Sequence, residues 1–246
     1  MQAGGSVAAV DEVRAGRVEQ LWVYPVKSLG GQRVAATRVG RTGLDGDRAW
    51  AVATPEGERL TARAAPGLRA AAAAVPEVPA GGAGGEGPAV RVGAGPARTG
   101  AGAEAALAEL VGRPVRLLAA EDGATHADVA PVHLVSRAAL AAAAGVDHAG
   151  HDAACPCSHE DPRANVVLDL ELPGGGDETG LVGAELALGA ARLRVTRRPK
   201  HCLGVYAEVL VPGAVAEGDP VRVLAGRGGD GRGAGETPSG TVGASD

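Results

Sequence analysis

Lysine is scarce in this chain, and both lysines fall in segments whose residue types could do chemistry. The 246 residues hold 24 lysines and arginines, of which only Lys27 and Lys200 are lysine. Lys27 precedes Ser28 after an apolar run, and this pair offers an anionic ligand one point charge and one rotatable hydrogen-bond donor. A solvated lysine that begins a turn is the alternative, and residues 25–28 taken alone favour it.

Cys202 lies in the second of these segments, directly after a group of cationic residues. Arg197, Arg198, Lys200 and His201 all precede it within five positions. Neighbouring cations lower the pKa of a thiol, and the thiolate is the form that attacks electrophiles or binds metals. We therefore favour a functional thiol at Cys202 over a buried structural cysteine, which is the usual state of free cysteine.

Two further segments offer guanidinium groups beside predicted strands. Arg48 follows a turn, where it could fork onto a phosphate or carboxylate, or form a weak surface pair with Asp47. Arg163 and Asn165 are two residues apart at the mouth of a strand, so alternation directs both side chains to one face. A guanidinium and an amide on one face can bind an anion or a heterocycle; the alternative is that Asn165 caps a loop.

A cluster of cysteine and histidine residues forms another candidate site. His148, His151, Cys155, Cys157 and His159 fall within twelve positions. The Cys-x-Cys spacing departs from that of zinc sites, and no matching second half exists. We rank an unliganded loop ahead of a zinc site or a reactive thiol loop.

Short strands separated by turn signals must position these residues, which predicts a mainly β (α+β) fold of barrel type with a few short helices. Helices are predicted over 103–111 and 137–144, the second with Ser136 as its N-cap. Residues 76–102 are predicted to form a long variable loop with one strand inside it. The predicted strands cover residues 18–26, 33–39, 49–53, 89–92, 115–118, 132–135, 165–170, 185–188, 193–196, 206–211 and 220–224.

Composition argues against several classes of protein. The formal charge of −5 and the 2% aromatic content oppose nucleic-acid binding. No apolar run reaches the roughly 18 residues that span a bilayer, and the first residues lack the pattern of a secretory signal. Three cysteines, an odd number, oppose a disulfide framework. We expect a cytoplasmic protein with neither nucleic acid nor a membrane as its partner.

In this order, the segments resemble the MOSC family, which is named for the C-terminal part of molybdenum cofactor sulfurase. The resemblance runs over residues 18–75, through WVYPVKSLGG and GLDGDRAWAV, and over residues 131–224, through HLVSRAALAAAA, PRANVVLD and TRRPKHC. It implies an N-terminal β-barrel-like domain followed by a MOSC β-barrel domain. With the Gly-rich ends, the expected segments are a flexible N-terminus (1–16), the N-terminal barrel domain (17–125), the MOSC domain (126–225) and a disordered tail (226–246).

The resemblance also implies a molybdenum cofactor, that is, molybdopterin carrying molybdenum. The positions that match those holding the pterin and its phosphate are Lys27, Ser28, Arg48, Ser136, Arg163 and Asn165. Cys202 matches the catalytic cysteine that ligates molybdenum in amidoxime-reducing members, or that carries a persulfide in sulfur carriers. Asp169 is the nearest candidate for proton delivery, although a structural role at the strand end is favoured.

We therefore expect a molybdenum-dependent oxidoreductase that reduces small N-hydroxylated compounds. Its electrons would come from a separate electron-transfer protein of ferredoxin or flavoprotein type. A sulfur carrier with a persulfide on Cys202, a cofactor-delivery protein without turnover, and a non-catalytic anion-binding β-barrel are the alternatives.

Overall fold

The computed structural model describes residues 12–75, 87–121, 124–127, 129–144, 162–200 and 202–224. This described part contains the helices α1 (Gly100–Val111) and α2 (Arg137–Ala144). Its strands are β1 (Glu12–Val23), β2 (Val26–Lys27), β3 (Gln32–Val34), β4 (Ala36–Gly40), β5 (Gly43–Leu44), β6 (Trp50–Ala53), β7 (Ala71–Ala74), β8 (Ala89–Val92), β9 (Arg116–Ala119), β10 (Val132–Ser136), β11 (Val166–Leu170), β12 (Glu185–Leu188), β13 (Ala191–Arg197), β14 (Val205–Val211), β15 (Gly213–Ala216) and β16 (Pro220–Leu224).

Seven strands close into a barrel in the order β1–β11–β10–β14–β13–β12–β16, and β16 pairs again with β1. Neighbouring strands are antiparallel except β10 and β11, which run parallel. Alternate residues of the strands fill the interior, among them the fully buried Val18, Leu21 and Leu134. Because the chain has no phenylalanine, branched aliphatic side chains build this core. The mainly β fold is confirmed.

The expectation of a flexible N-terminus up to Gly16 was wrong for residues 12–16, which belong to β1. Glu12 pairs with Leu224, and Gly16 pairs with Leu170 on the other side. The register of β1 against β16 shifts between Arg14 and Gly16. Gly16 has φ +141, and a Cβ atom there would collide with the carbonyl oxygen of Asp169. This glycine thus permits a bulge and a close backbone approach in the barrel.

Residues 26–117 build a second hydrophobic core beside the barrel. Its fully buried members include Val26, Val52, Leu68 and Leu107. They come from the sheet β2–β6–β9, the pair β7–β8, the 3-10 helix Pro66–Ala70 and the helix α1. A third sheet, β15–β4–β5, joins a strand from late in the chain to two early strands.

The domain boundary expected near residue 125 stays a prediction. The two cores agree with two parts of the chain, but β1 closes a barrel whose other six strands begin at residue 132 or later. The expected tail at 226–246 and residues 1–11 lie outside the described residues.

Both predicted helices are present, and α1 begins three residues earlier than predicted, at Gly100 instead of Ala103. The predicted strand at 18–26 is interrupted at Tyr24 and Pro25 between β1 and β2. Neither helix of the described part is long and apolar enough to cross a membrane.

Candidate functional site

One cavity of about 380 Å³ brings together most of the residues that the sequence singles out. The predicted site residues that line it are Lys27, Ser28, Arg48, Arg163, Asn165 and Cys202. They come from the end of β2, the turn before β6, the segment before β11 and the segment before β14. Residues more than 170 positions apart therefore meet in one place.

Positive charge dominates the lining of this cavity. Lys27, Arg48, Arg63 and Arg163 all line it, whereas no aspartate or glutamate is found among its described lining residues. The whole chain carries a formal charge of −5, so the cations are concentrated locally. Guanidinium and ammonium groups in a cleft favour phosphate or carboxylate ligands.

Three of the lining residues have left-handed backbone conformations. Within the described part of the chain, the non-glycine residues with positive φ are Ser28 (φ 74), Arg48 (φ 50) and Arg163 (φ 55). Such a conformation costs on the order of 1–3 kcal/mol per residue and clusters at functional sites. Hydrogen bonds hold two of these turns, since Leu29 N donates to Val26 O at 3.2 Å and Arg48 N donates to Tyr24 O at 2.7 Å.

Arg48 is fixed by a buried carboxylate and not by a surface ion pair. The Asp47 side chain is 3% exposed and that of Arg48 is 19% exposed, and Asp47 Oδ2 accepts from Arg48 Nη1. Asp47 Oδ1 also accepts from Tyr24 N at 2.9 Å. Arg48 Nη2 donates to the carbonyl of Arg163 at 3.4 Å. These contacts orient one guanidinium and connect it to the second arginine.

Asn165 ties strand ends together as well as lining the cavity. Its Oδ1 accepts from His133 N at 3.2 Å, and its Nδ2 donates to the Trp22 carbonyl at 3.4 Å. The alternation argument for Arg163 and Asn165 does not hold, because β11 begins only at Val166. The two residues reach the same cavity through the left-handed turn at Arg163 instead.

Sequence reasoning missed His133 and Tyr206, which also line the cavity. His133 Nε2 lies 2.7 Å from the Leu203 carbonyl; a carbonyl can only accept, so this nitrogen carries the proton. Burial, with a smaller contribution from Arg48, lowers the pKa of His133 to about 4. The imidazole is therefore neutral at pH 7. Its ring centre lies 5.0 Å from that of Tyr206.

Cys202 is half-buried and disulfide-bonded. The other cysteines of the chain, Cys155 and Cys157, lie outside the described residues, as does the whole cluster from His148 to His159. The odd cysteine count therefore did not exclude a single bridge.

Three of the four cationic residues that precede Cys202 in sequence do not line the cavity. Arg197, Arg198 and Lys200 are exposed and are not among its lining residues, and His201 is outside the described residues. The positive charge near the sulfur comes instead from distant parts of the chain, such as Arg48 and Arg163.

The expectation that Ser136 contacts an anionic ligand was wrong for this structure. Ser136 is 0% exposed and does not line the cavity. Its Oγ accepts from Ala139 N at 3.1 Å, which confirms the predicted N-cap of α2. Its N–H donates at 3.0 Å to the buried carboxylate of Glu178, so an internal anion already occupies this helix start. Asp169 lies within β11, pairs with Arg17 at 2.5 Å and does not line the cavity; its structural role stays a prediction.

Comparison with protein families identifies one segment of the chain. Residues 15–96 match the family model described as the MOSC N-terminal beta barrel domain. This part of the chain is therefore similar to the N-terminal barrel domain of MOSC proteins. The match contains Lys27, Ser28 and Arg48, so part of the cavity lies within the matched MOSC segment.

The chain is also similar to a solved structure, that of the YUAD protein from Bacillus subtilis. The two are 14% identical, the similarity covers 87% of this chain and 98% of that one, and the TM-score is 0.41. A search of curated proteins finds no match.

MOSC domains are associated with the molybdenum cofactor, and the donor set of the cavity fits that group chemically. Lys27, Arg48, Arg163 and the Ser28 hydroxyl suit a phosphate, and a cysteine thiolate is a soft metal ligand. No group of three or more His, Cys, Asp or Glu residues able to hold a metal ion occurs within the described ranges. A metal here would depend on ligands supplied with it, together with Cys202 in its thiolate form.

Proposed function

We propose that this protein binds a molybdenum cofactor in the cavity and uses it to reduce small N-hydroxylated compounds. The observation that carries the proposal is the convergence of Lys27, Arg48 and Arg163 with Cys202 on one cavity of about 380 Å³. Cations for a phosphate and a sulfur for a metal are the two kinds of donor that this cofactor needs.

The residues of the chain have distinct roles in this proposal. Lys27, Ser28, Arg48 and Arg163 hold the phosphate of the pterin, and the Cys202 thiolate ligates the metal. The bound cofactor would supply two-electron oxygen-atom chemistry at molybdenum. In the overall reaction, an N-hydroxyl compound takes up two electrons and two protons and gives the amine and water.

Cys202 must first be released from its disulfide. A dithiol reductant attacks the bridge, the S–S bond breaks, and the dithiol leaves as its own disulfide while Cys202 becomes free. The cytoplasmic location expected from the sequence would supply this reduction, because thiols are kept reduced there. The electrons for turnover would come from a separate ferredoxin- or flavoprotein-type partner.

A sulfur carrier is the second candidate, and the disulfide at Cys202 is the observation that favours it. A persulfide forms and reacts by exchange of sulfur–sulfur bonds, and Cys202 forms a sulfur–sulfur bond, its disulfide, in this structure. In this version the freed Cys202 thiolate takes up a sulfur atom from a donor persulfide, whose own thiol is released, and the cavity holds the cofactor without reduction of a substrate.

Metal and pterin analysis tests the binding proposal. The protein would be produced in a host that makes molybdenum cofactor and purified with a dithiol reductant, with Arg163→Ala as the variant and Arg197→Ala as the matched control. We expect near-stoichiometric molybdenum and pterin in the wild type and in the exposed control, and a loss in Arg163→Ala. Correctly folded wild-type protein without molybdenum would contradict the proposal.

Two activity measurements separate the candidates. Reduction of hydroxylamine with an artificial electron donor, abolished by Cys202→Ser, is the result expected of the reductase. Cyanide-labile sulfur on Cys202, without hydroxylamine reduction, is the result expected of the sulfur carrier.

A further inference from the structure

Tyr24 lies next to the cavity and contacts both of its central arginines. The Cζ atoms of Arg48 and Arg163 stand 5.2 and 5.0 Å from the centre of the Tyr24 ring. Both distances are within the roughly 6 Å at which a cation over an aromatic ring is attracted to it. Tyr24 is 3% exposed, so water screens these contacts little.

The backbone of Tyr24 also fixes the turn that carries Arg48. Tyr24 N donates to Asp47 Oδ1 at 2.9 Å, and the Tyr24 carbonyl accepts from Arg48 N at 2.7 Å. Asp47 in turn pairs with the Arg48 guanidinium. Tyr24 therefore holds Arg48 at both ends, through its backbone at the turn and through its ring at the guanidinium.

The surroundings keep the ring in this position. A Cβ atom on Gly31 would lie 2.6 Å from Tyr24 Cδ1, so the absence of a side chain at Gly31 makes room for the ring. The Tyr24 hydroxyl donates to the Ala164 carbonyl at 3.4 Å, a long and weak bond next to Arg163. The two arginines contact the aromatic face of Tyr24.

We propose that Tyr24 is a positioning residue, whose ring orients Arg48 and Arg163 together for the phosphate of the ligand. Both arginines have left-handed backbone conformations, which other contacts must stabilise. A ring shared by the two cations also couples them, so a displaced Tyr24 would disturb both donors at once. This inference rests on the proposed function, because it assigns the arginines to the phosphate of the cofactor.

The test compares Tyr24→Leu with Tyr24→Phe, using binding of inorganic pyrophosphate to the cofactor-free protein by calorimetry. Tyr24→Leu keeps an apolar side chain but removes the π face, and we expect binding about tenfold weaker than in the wild type. Tyr24→Phe keeps the face, and its affinity should stay within about twofold of the wild type. Rescue by phenylalanine distinguishes orientation of the arginines from a role of the hydroxyl.

Trp22→Leu is the matched control, because it removes an aromatic ring from neighbouring β1. The Trp22 indole donates to Gln20 at 2.9 Å and lines a different cavity from the arginines. Its pyrophosphate affinity should equal that of the wild type, and thermal unfolding would establish that each variant is folded.

Several outcomes would overturn the inference. Equal affinity of folded Tyr24→Leu and wild type would do so, as would no pyrophosphate binding by the wild type. A Tyr24→Phe variant as weak as Tyr24→Leu would show that the ring face is not the active feature. If pyrophosphate binding depends on Tyr24 but the wild type takes up no molybdenum, the inference stands for a different phosphate ligand and the cofactor proposal fails. If the wild type holds molybdenum and Tyr24→Leu binds pyrophosphate as tightly as the wild type, the cofactor proposal stands and the inference about Tyr24 fails.

Discussion

Replacing Asn165 with alanine should destabilise the protein even without any ligand. Asn165 is 1% exposed, and its side chain bonds the backbone of His133 at 3.2 Å and that of Trp22 at 3.4 Å. The substitution removes these partners from a backbone N–H and a carbonyl at the ends of two strands. Each such loss costs about 1–3 kcal/mol, and the longer bond is the weaker one. We expect the free energy of unfolding to fall by about 2–4 kcal/mol.

Urea unfolding of the cofactor-free protein measures this change directly. For a chain of this size, the same loss lowers Tm by roughly 5–15 °C. Gln20→Ala is the matched control, because its amide oxygen accepts from the half-buried Trp22 indole and not from the backbone of a second strand; a change below about 1 kcal/mol is expected. If Asn165→Ala costs no more than the control, the argument that Asn165 ties the strand ends is refuted. A loss seen only in cofactor-loaded protein would assign Asn165 to ligand contact alone.

Three further predictions concern the same site. As the pH falls from about 6.5 to about 4, the free energy of unfolding should fall by up to about 3 kcal/mol because of His133. The unfolded chain takes up a proton that the buried imidazole, with a pKa of about 4, does not bind. Urea unfolding at several pH values should show this pH dependence in the wild type and not in His133→Gln, and an unchanged pH dependence in the variant would contradict the assignment to His133. Ser136→Ala should lower the free energy of unfolding by about 1 kcal/mol in thermal unfolding, because the cap of α2 is lost, and it should leave the pyrophosphate affinity unchanged. Weaker pyrophosphate binding would show that Ser136 contributes to the binding site. Lys27→Ala should weaken pyrophosphate binding about tenfold in calorimetry, as expected for the loss of a charged donor. Lys200 is exposed and does not line the cavity, so Lys200→Ala should leave the affinity unchanged. Equal effects of the two substitutions would refute the assignment of Lys27 to the binding site.

Scarce residue types located much of the site from sequence. Lys27, one of two lysines, lines the cavity, whereas Lys200 does not. The same argument applied to tyrosine would have pointed to Tyr24 and Tyr206, since the chain has only these two. Asn165 is the one asparagine in the chain. In a sequence dominated by alanine and glycine, a rare polar or aromatic residue is informative, because few positions of the chain carry one.

Contacts between distant segments could not be read from local patterns. The Glu178 carboxylate occupies the start of α2 from 42 positions away, and nothing near Ser136 signals this. At the Gly16 bulge, the missing side chain lets the Asp169 backbone approach closely. From the sequence alone, a glycine near a Gly-rich terminus suggests flexibility instead. Likewise, Arg197, Arg198 and Lys200 are exposed, and the cations that line the cavity come from other segments.

X-ray absorption at the molybdenum edge is the most direct measurement of the proposed cofactor site. It would compare wild-type protein, produced in a cofactor-competent host and reduced with a dithiol, with Cys202→Ser prepared in the same way. We predict that the wild type shows one more sulfur ligand to molybdenum than the variant. An equal sulfur count in the two proteins would contradict ligation by Cys202, and folded wild-type protein without molybdenum would contradict the cofactor site itself.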